Sequence, residues 1–451
     1  MSRYKPYPQY KGSGVEWLGE VPEHWNIFQI KRSIDGCSNG IWGEEPNGLN
    51  DLIVIRVADF NRDNFTISEE KLTYRAIEEK DRCNRLLKQN DLLIEKSGGG
   101  ENQLVGTVVS FNKDFLAVTS NFVAKMTCKN DFNARYLTYS FAHLYAKRVN
   151  YMSIKQTTGI QNLDSNQYLS EYWSFPPFLE QQSIANFLDN ATCKIDTLIH
   201  KQQNLIELLK EKRQALISHV VTKGLNPHVK MKNSGVEWLG EVPEHWEVSK
   251  IGFLSNKIGS GKTPKGGSEV YSDEGIIFIR SQNVYDEGLR LEDVVFISKE
   301  IDEEMSNTRV RPGDILLNVT GASIGRTTLV PYNFDVANVN QHVCIIRINS
   351  IEMRPYISLV MKSTTVKIQI DAFQNGAARE GLNFEQIANI QIALPSISEQ
   401  IAITNYLDNS TCKIDTLMAK AEKAIELLKE QRTALISATV TGKIDVRGIA
   451  S

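Results

Sequence analysis

Two polar stretches flanked by glycine concentrate the side chains best suited to recognition chemistry. One is Lys155-Gln156-Thr157-Thr158-Gly159-Ile160-Gln161-Asn162, the other Gln374-Asn375-Gly376-Ala377-Ala378-Arg379-Glu380-Gly381. Glutamine and asparagine amides match the donor and acceptor of adenine, while arginine and lysine match the two acceptors of guanine. Such groups bind edges and phosphates; they do not move protons near neutral pH. The same residue types recur in other polar loops. In the first half they are Lys96, Ser97, Asn102 and Gln103, beside Lys155, Gln156, Thr157 and Gln161. In the second half they are Lys262, Thr263, Lys265, Arg280, Gln282, Asn283, Thr320, Ser323 and Arg326, beside Gln374, Asn375 and Arg379. All are candidates for contact with DNA.

Catalytic machinery is harder to assemble. Gly259-Ser260-Gly261-Lys262-Thr263 looks like the end of a phosphate-binding P-loop. The motif needs its first glycine where Asn256 stands, and Pro264, Gly266 and Gly267 stop a helix from following. A polar loop able to touch a DNA phosphate fits better than a nucleotide-dependent enzyme. Phe175-Pro176-Pro177-Phe178 resembles the Asn/Asp-Pro-Pro-Tyr/Phe signature of amino-methyltransferases, but Phe175 cannot accept the hydrogen bond that the target amino group must give. The second half reads Leu394-Pro395-Ser396-Ile397 there, so a helix-entry turn accounts for both. His24 and His245 stand in duplicated Glu-His-Trp triplets and read as packed turns bracing helices. Cys37, Cys83, Cys128, Cys193, Cys344 and Cys412 make no Cys-x-x-Cys pair and no zinc spacing, so no metal centre is expected. Cys193 and Cys412 read as small buried thiols.

The elements that must position these loops are written twice. Ser13–Trp25 recurs letter for letter as Ser234–Trp246, and Cys193–Leu198 recurs as Cys412–Leu417. Between them lie two blocks, 26–174 and 247–393, whose sequences largely differ. Their strand-like runs still align: Ile53-Val54-Ile55-Arg56 with Ile277-Phe278-Ile279-Arg280, and Asp91-Leu92-Leu93-Ile94 with Asp314-Ile315-Leu316-Leu317. The offset between copies drifts from 221 through 224 and 223 to 219, so loops changed length while strands were kept. That is the expected pattern if the loops read different targets. Leu52–Val57, Leu104–Phe111, Ile276–Arg280 and Val343–Ile348 predict strands, and Ala134–Val149 and Pro355–Phe373 predict helices.

After each block comes a long helix. Leu188, Ile195, Leu209 and Leu216 recur at multiples of seven, with Ile184, Ala191, Leu198 and Leu205 as a second row. The second copy has Leu407, Ile414, Leu428 and Leu435 with Ile403, Leu417 and Ala424. This is a helix–helix seam, interrupted at Gln202, Lys212, Ala421 and Gln431. Ser396 and Glu399 have capping-box spacing. From 180 to 221 an unbroken helix would reach roughly 60 Å, with Asp189-Asn190 and Asp408-Asn409 as candidate kinks. The expected fold class is mixed α/β (α+β): two domains of similar fold joined by two long antiparallel helices in a pseudo-two-fold repeat. The expected divisions are a repeat segment at 1–25, a first domain at 26–174, a spacer helix at 175–222, a linker with the second repeat segment at 223–246, a second domain at 247–393, a spacer helix at 394–441 and a tail at 442–451.

A chain of 451 residues exceeds one compact core, and two domains fit the repeat. An apolar share of 41% and a charged share of 23% exclude disordered and collagen-like classes. No apolar run approaches the ~18 residues of a membrane span, and Met1-Ser2-Arg3-Tyr4-Lys5-Pro6 does not open as a secretory signal; a cytoplasmic protein is expected. The formal charge is −3, and the blocks carry 18 Lys/Arg against 18 Asp/Glu and 15 against 18. This balance argues against wrapping of nucleic acid by bulk charge. Binding of DNA requires local basic loops, or partners that bring positive charge.

With these residues in view, the chain resembles the specificity (S) subunit of bacterial type I restriction–modification systems. The resemblance lies in the duplicated Val15–Trp25 segment, in Gly313-Asp314-Ile315-Leu316-Leu317 with Gly321-Ala322-Ser323-Ile324-Gly325, and in Ser398-Glu399-Gln400 opening a long helix. The first block departs from the pattern, with Asn90 in place of Gly313 and a longer glycine loop at 97–103. The resemblance implies two target-recognition domains, each reading one half of a split sequence in double-stranded DNA, with the helices as a ruler. It also implies a non-catalytic chain that binds no cofactor. Two methyltransferase (modification) subunits would dock on the helices, carry S-adenosylmethionine and flip out the adenine, and restriction (motor and nuclease) subunits would use ATP and Mg. No membrane partner is implied. The alternative is a coiled-coil scaffold that joins protein partners without reading DNA.

Overall fold

The computed structural model describes residues 4–100, 103–157, 159–374 and 381–448. Asn102, Asn375 and Arg379, and the side chain of Thr157, lie outside what is described. The chain divides into two compact units, 1–202 with 423–451 and 203–422. Each long helix therefore gives one end to each unit.

The duplicated segment folds the same way in both units. Tyr10–Gly12 pairs antiparallel with Glu20–Pro22, and Met231–Asn233 with Glu241–Pro243. The chain then turns into Asn26–Gln29, paired with Tyr172–Phe175, or into Glu247–Lys250, paired with Gln391–Leu394. This two-stranded clasp closes the ends of each divergent block beside the start of a long helix. Trp25 and Trp246 are buried at its centre. Near them Gly442 and Gly224 take left-handed φ of 73° and 77°, and a Cβ at either would meet Trp25 or Trp246.

Each block is built on a four-stranded antiparallel sheet. In unit 1 the order is Val108–Phe111, Asp91–Glu95, Val123–Cys128, Ile34–Asn39; in unit 2 it is Thr327–Leu329, Ile315–Asn318, Val343–Ile348, Ser255–Ser260. A smaller sheet joins Asp51–Ile55 in parallel to Ala117–Thr119, as Ile276–Ile279 joins Ala337–Val339. Central strands such as Asp91–Glu95 and Ile315–Asn318 are buried at every residue, which is why their sequences run apolar without alternation. Asn90 and Gly313 precede them with φ of 71° and 80°. Asparagine tolerates the left-handed region better than other side chains, so the departure at Asn90 preserves the same turn. In both turns the aspartate accepts from a backbone N–H three residues back: Lys88 N to Asp91 at 2.8 Å and Arg311 N to Asp314 at 2.7 Å.

The sequence-based strands hold, with ends trimmed by a few residues. Ala134–Val149 is a helix only to Ala146, followed by a 3-10 turn from Val149. Pro355–Phe373 is two helices, Arg354–Met361 and Thr364–Gln374, because the Ser363 hydroxyl caps the break by accepting from Val366 N.

The long helices run Phe178–Lys223 and Ile397–Val440, and the helical backbone continues through Asp189-Asn190 and Asp408-Asn409. In unit 1, Leu188 shares a core with Ile436 and Val440, and Arg432 pairs with Asp196 at 3.1 Å. In unit 2, Ile217 shares a core with Ile403 and Leu407, and Arg213 pairs with Asp415 at 3.0 Å. Pairing runs antiparallel in each. The heptad row Leu188, Ile195, Leu209, Leu216, Leu407, Ile414, Leu428, Leu435 is buried or half-buried. The second row holds only in part: Ile184 and Ile403 are buried and Ala191 and Ala424 half-buried, but Leu198, Leu205 and Leu417 are exposed at 46%, 42% and 50%. The inward row lies one residue later, at Thr192, Ile199, Ile206, Arg213 and Val220, and at Thr411, Met418, Ile425, Arg432 and Thr439. Most of its polar members find partners nearby, although Nε and Nη2 of Arg432 lack a hydrogen bond among the described residues. Thr192 and Thr411 donate to the carbonyls of Leu188 and Leu407, and the arginines pair across the seam. Cys193 and Cys412 are exposed rather than buried, being next to that row and outside it.

Candidate nucleic-acid interface

In unit 2 the ends of three sheet strands deliver a connected polar rim. Thr263 donates to the Gln341 amide oxygen, Gln341 Nε2 donates to His342 Nε2 at 2.9 Å, and His342 Nδ1 reaches the Thr320 hydroxyl. If the Gln341 nitrogen donates, His342 carries its proton on Nδ1 and Thr320 accepts. The Thr320 hydroxyl hydrogen is then free to donate outward; this tautomer is assigned from the network. Thr320 also bridges Gly381, and the Gln374 side chain clamps the Gly381 backbone through both amide atoms, at 2.8 and 3.2 Å. Gln374 and Gly381 are thus held together beside Thr320. On the other flank buried Asn318 donates to Ser323 Oγ and to the carbonyl of Ser281, next to exposed Gln282. Lys262 and Thr263 are exposed, and a Cβ on Gly261 would collide with the Val339 carbonyl oxygen. Only glycine lets the loop lie this close.

Unit 1 builds the matching rim from other side chains. Gly40 stands where Gly261 does and would collide with Thr119 in the same way. Lys96 Nζ donates to Asn39 at 2.7 Å, Ser97 Oγ to Asn162 at 2.6 Å, and the backbone N–H groups of Lys96 and Ser97 both reach the Phe122 carbonyl. Phe122 is exposed at the place held by His342 in unit 2. Glu95 is buried where unit 2 has Asn318. Burial pushes its carboxyl up, and the Arg62 guanidinium, donating at 2.9 Å, pulls it back. Lys155 pairs with Asp164 at 2.9 Å on the exposed hairpin that carries Gln156. Gln103 is exposed beside the glycine loop.

Several sequence candidates point inward. Gln161 is buried, its amide accepting from Val105 N and donating to the Gly100 carbonyl; it shapes the glycine loop and presents no edge. Asn283 is buried in a turn that caps Arg280 N, and Arg280 donates to the Asp293 carbonyl and stacks on Tyr271. Arg56 and Asp59 repeat this arrangement in unit 1, so Arg280 and Asn283 are scaffold. Lys265, by contrast, is exposed, 3.9 Å from the Glu304 carboxylate. Lys262 is followed by a 3-10 turn at Gly267–Val270 and no α-helix, so the P-loop reading fails. His24 and Trp25 both donate to Glu180, at 2.8 and 2.9 Å, as His245 and Trp246 do to Glu399; the triplets brace the helix starts. The sequence reading missed Gln341, His342, Phe122 and Trp42, which is exposed under Arg75 at 4.6 Å. Their offsets from the aligned strands were the available signal.

The chain is thus two copies of one mixed α/β domain, alike in scaffold and unlike at the rim, each packed on paired long helices. A family profile described as the type I restriction modification DNA specificity domain matches twice, at 45–208 and 243–427, and the chain belongs to that family. It is 24% identical over 441 residues to a putative type I restriction enzyme MjaX specificity subunit of Methanocaldococcus jannaschii, covering 95% of this chain and 96% of that one. It is 24% identical over 364 residues to the EcoBI specificity subunit of Escherichia coli, covering 76% and 74%. Among solved structures, one described as underlying complex assembly and conformational transition of the type I R-M system aligns with a TM-score of 0.70 at 13% identity, over 93% of this chain and 98% of that one. The HsdS subunit from Thermoanaerobacter tengcongensis aligns at 0.51, also at 13% identity, over 94% and 98%. The fold is therefore that of type I specificity subunits, and two DNA specificity domains are present.

Proposed function

We propose that this chain reads a split target in double-stranded DNA, one half-site per unit, and contributes recognition while its partners supply the chemistry. The observation that carries the reading is the contrast within each aligned pair of positions. Scaffold positions repeat, as at Gly40 and Gly261 or Asp91 and Asp314. Rim positions change, as at Phe122 and His342 or Ser97 and Thr320.

Two methyltransferase subunits dock on the helices in this reading. Among the exposed leucines of the long helices, Leu198 and Leu427 in unit 1 come from different helices and have their repeat equivalents Leu417 and Leu208 exposed in unit 2, where Leu205 is exposed as well. Two like apolar surfaces suit two copies of one partner that takes a helix face into a groove. S-adenosylmethionine belongs to those subunits, and ATP and Mg to the restriction subunits. A non-catalytic role agrees with the use of both histidine triplets to brace the helix starts. Replacing 374–380 with the loop of a relative, followed by methylome sequencing of a host that also carries the modification subunit, tests the reading. One half-site should change and the other stay; two unchanged halves would sink it.

A further inference from the structure

The hairpin of Val284–Tyr285 with Gly288–Leu289 in unit 2 carries a cation stack that its counterpart in unit 1 does not repeat. The Arg290 guanidinium lies 3.7 Å from the centre of the Tyr285 ring and that of Arg326 lies 4.8 Å from it. Among the described residues neither has a carboxylate within ion-pair distance. Arg290 is exposed, yet its backbone is locked: its N–H donates to the Asn283 carbonyl at 2.9 Å, and Asn283 Nδ2 donates back to the Arg290 carbonyl at 3.0 Å. Arg326 is tied to the rim through Ser323 and Asn318, whose backbones bond its N–H at 3.1 Å and its carbonyl at 2.9 Å. A cavity of about 350 Å³ opens beside Tyr285 and Arg290, with Gln282, Glu292 and Asp293 on its walls. The aligned positions in unit 1 are Asn61, Ser68 and Thr107. The hairpin itself is the same, since Ser68 N donates to the Asp59 carbonyl at 2.8 Å as Arg290 N does to that of Asn283.

Stacking on an aromatic face fixes the plane of a guanidinium and leaves its N–H edge for a bidentate acceptor pair. In the major groove guanine presents two adjacent acceptors, O6 and N7, and its partner cytosine presents an amino donor that a carboxylate accepts. Phosphate would meet repulsion from Glu292 and Asp293. We infer that Arg290, held by Tyr285 and backed by Arg326, reads a guanine in the half-site of unit 2, with the acidic wall facing its cytosine. This rests on the DNA-reading function proposed above and names the base.

The test uses the full chain with its modification subunits. Methylomes are compared for the wild type, Arg290→Ala, Arg290→Lys and Tyr285→Phe, with circular dichroism as the check on folding. Loss of one guanine preference in one half-site is expected for both Arg290 variants and not for Tyr285→Phe, because lysine cannot form the fork. In duplex binding, 7-deazaguanine at that position should weaken the wild type roughly 5- to 100-fold and leave Arg290→Ala unaffected. An unchanged motif overturns the inference. So does a uniform loss of affinity with a shallower salt dependence that Arg290→Lys restores, which marks a phosphate contact. A wild-type complex that yields no bipartite motif overturns the underlying function as well, and so separates the two failures.

Discussion

Asp314 is fully buried, and Arg347 grips it with two hydrogen bonds of 2.7 Å; Arg347 itself is 8% exposed. In unit 1 the aligned aspartate, Asp91, is also buried but receives the Thr127 hydroxyl at 2.7 Å where unit 2 has Arg347. The same carboxylate therefore answers a charge in one copy and a neutral donor in the other. Removing one member of a buried ion pair costs about 3–5 kcal/mol because the other charge is left without a partner. Losing a buried hydrogen-bonded acceptor costs about 1–3 kcal/mol. Asp314→Ala should therefore lower the opening free energy of unit 2 by about 2 kcal/mol more than Asp91→Ala lowers that of unit 1. Adding Arg347→Thr to Asp314→Ala should recover part of the loss by deleting the stranded guanidinium. Native-state hydrogen exchange of Ile315–Asn318 and of Asp91–Glu95 measures each unit by itself, which a single melting curve over two units does not. The strand from Asp314 ends beside Thr320, so methylation at the unit 2 half-site should fall first. Equal costs in the two units, or a double variant no better than Asp314→Ala, would refute the charge argument.

Four further outcomes are expected. Gly261→Ala drives a methyl into the Val339 carbonyl, while Gly259→Ala meets nothing within 4 Å; the first should cost about 1–3 kcal/mol and impair the unit 2 half-site, and the second should leave thermal stability and motif intact. Leu198→Asp with Leu417→Asp should leave the helices folded by circular dichroism and abolish co-purification with the modification subunit, each leucine being worth about 1.5–3 kcal/mol when covered. Burial, helped by Lys147 and Lys443, holds buried His143 at a pKa of about 4, below its usual 6.5. The unfolded chain then binds the extra proton between those values, so this contribution is complete above about 6.5 and is lost as pH falls toward 4, by up to about 1.4 kcal/mol per pH unit; His143→Phe should flatten that limb in urea titrations at pH 7 and pH 5. Arg213→Ala should loosen the seam in unit 2 by about 1–2 kcal/mol, visible as faster exchange in Ile217–Val221, and Asp415→Asn in that background should add little.

The repeat made the architecture legible, since identical entry segments and a heptad row of leucines leave few alternatives to two domains on paired helices. The phase of the second seam row was misread for a physical reason. A count of apolar residues chooses Leu198 and Leu205 over Thr192 and Arg213, but a threonine that bonds its own helix carbonyl and an arginine that finds an aspartate across the seam are both at home inside. The exposed leucines that remain are those the partner model needs. At the rim the sequence points to loops that the structure places at strand ends, but some of the side chains it singles out there turn inward. Residue type distinguishes a group that can touch DNA from one that cannot. It does not distinguish Gln282, exposed on the rim, from Asn283, one residue on and buried in a turn. Arg290 and Tyr285 went unnoticed because nothing in their spacing announces a stack formed across a hairpin.

The paired positions also explain how one scaffold supports two specificities. Where the backbone must turn tightly or approach another strand, the copies agree: Gly40 with Gly261, Asn90 with Gly313 in the same left-handed conformation, Arg56 with Arg280 as the same backbone clamp. Inside the sheet they differ in charge, just beneath the rim with Glu95 against Asn318 and at the far end of the same strands with Thr127 against Arg347, and each change is answered inside its own unit by Arg62, Ser323 or Asp314. A rim residue exchanged alone between units should therefore fail more often than one moved together with the side chain it contacts. Placing Thr320 at Ser97 asks the hydroxyl to work beside Phe122, where no His342 is available to polarise it. Moving Thr320 with His342 supplies the polarising group, and the pair should carry its base preference into the half-site of unit 1 where the single exchange does not. Methylomes of the two transplants that match each other would show that the side chain beside the hydroxyl plays no part in recognition.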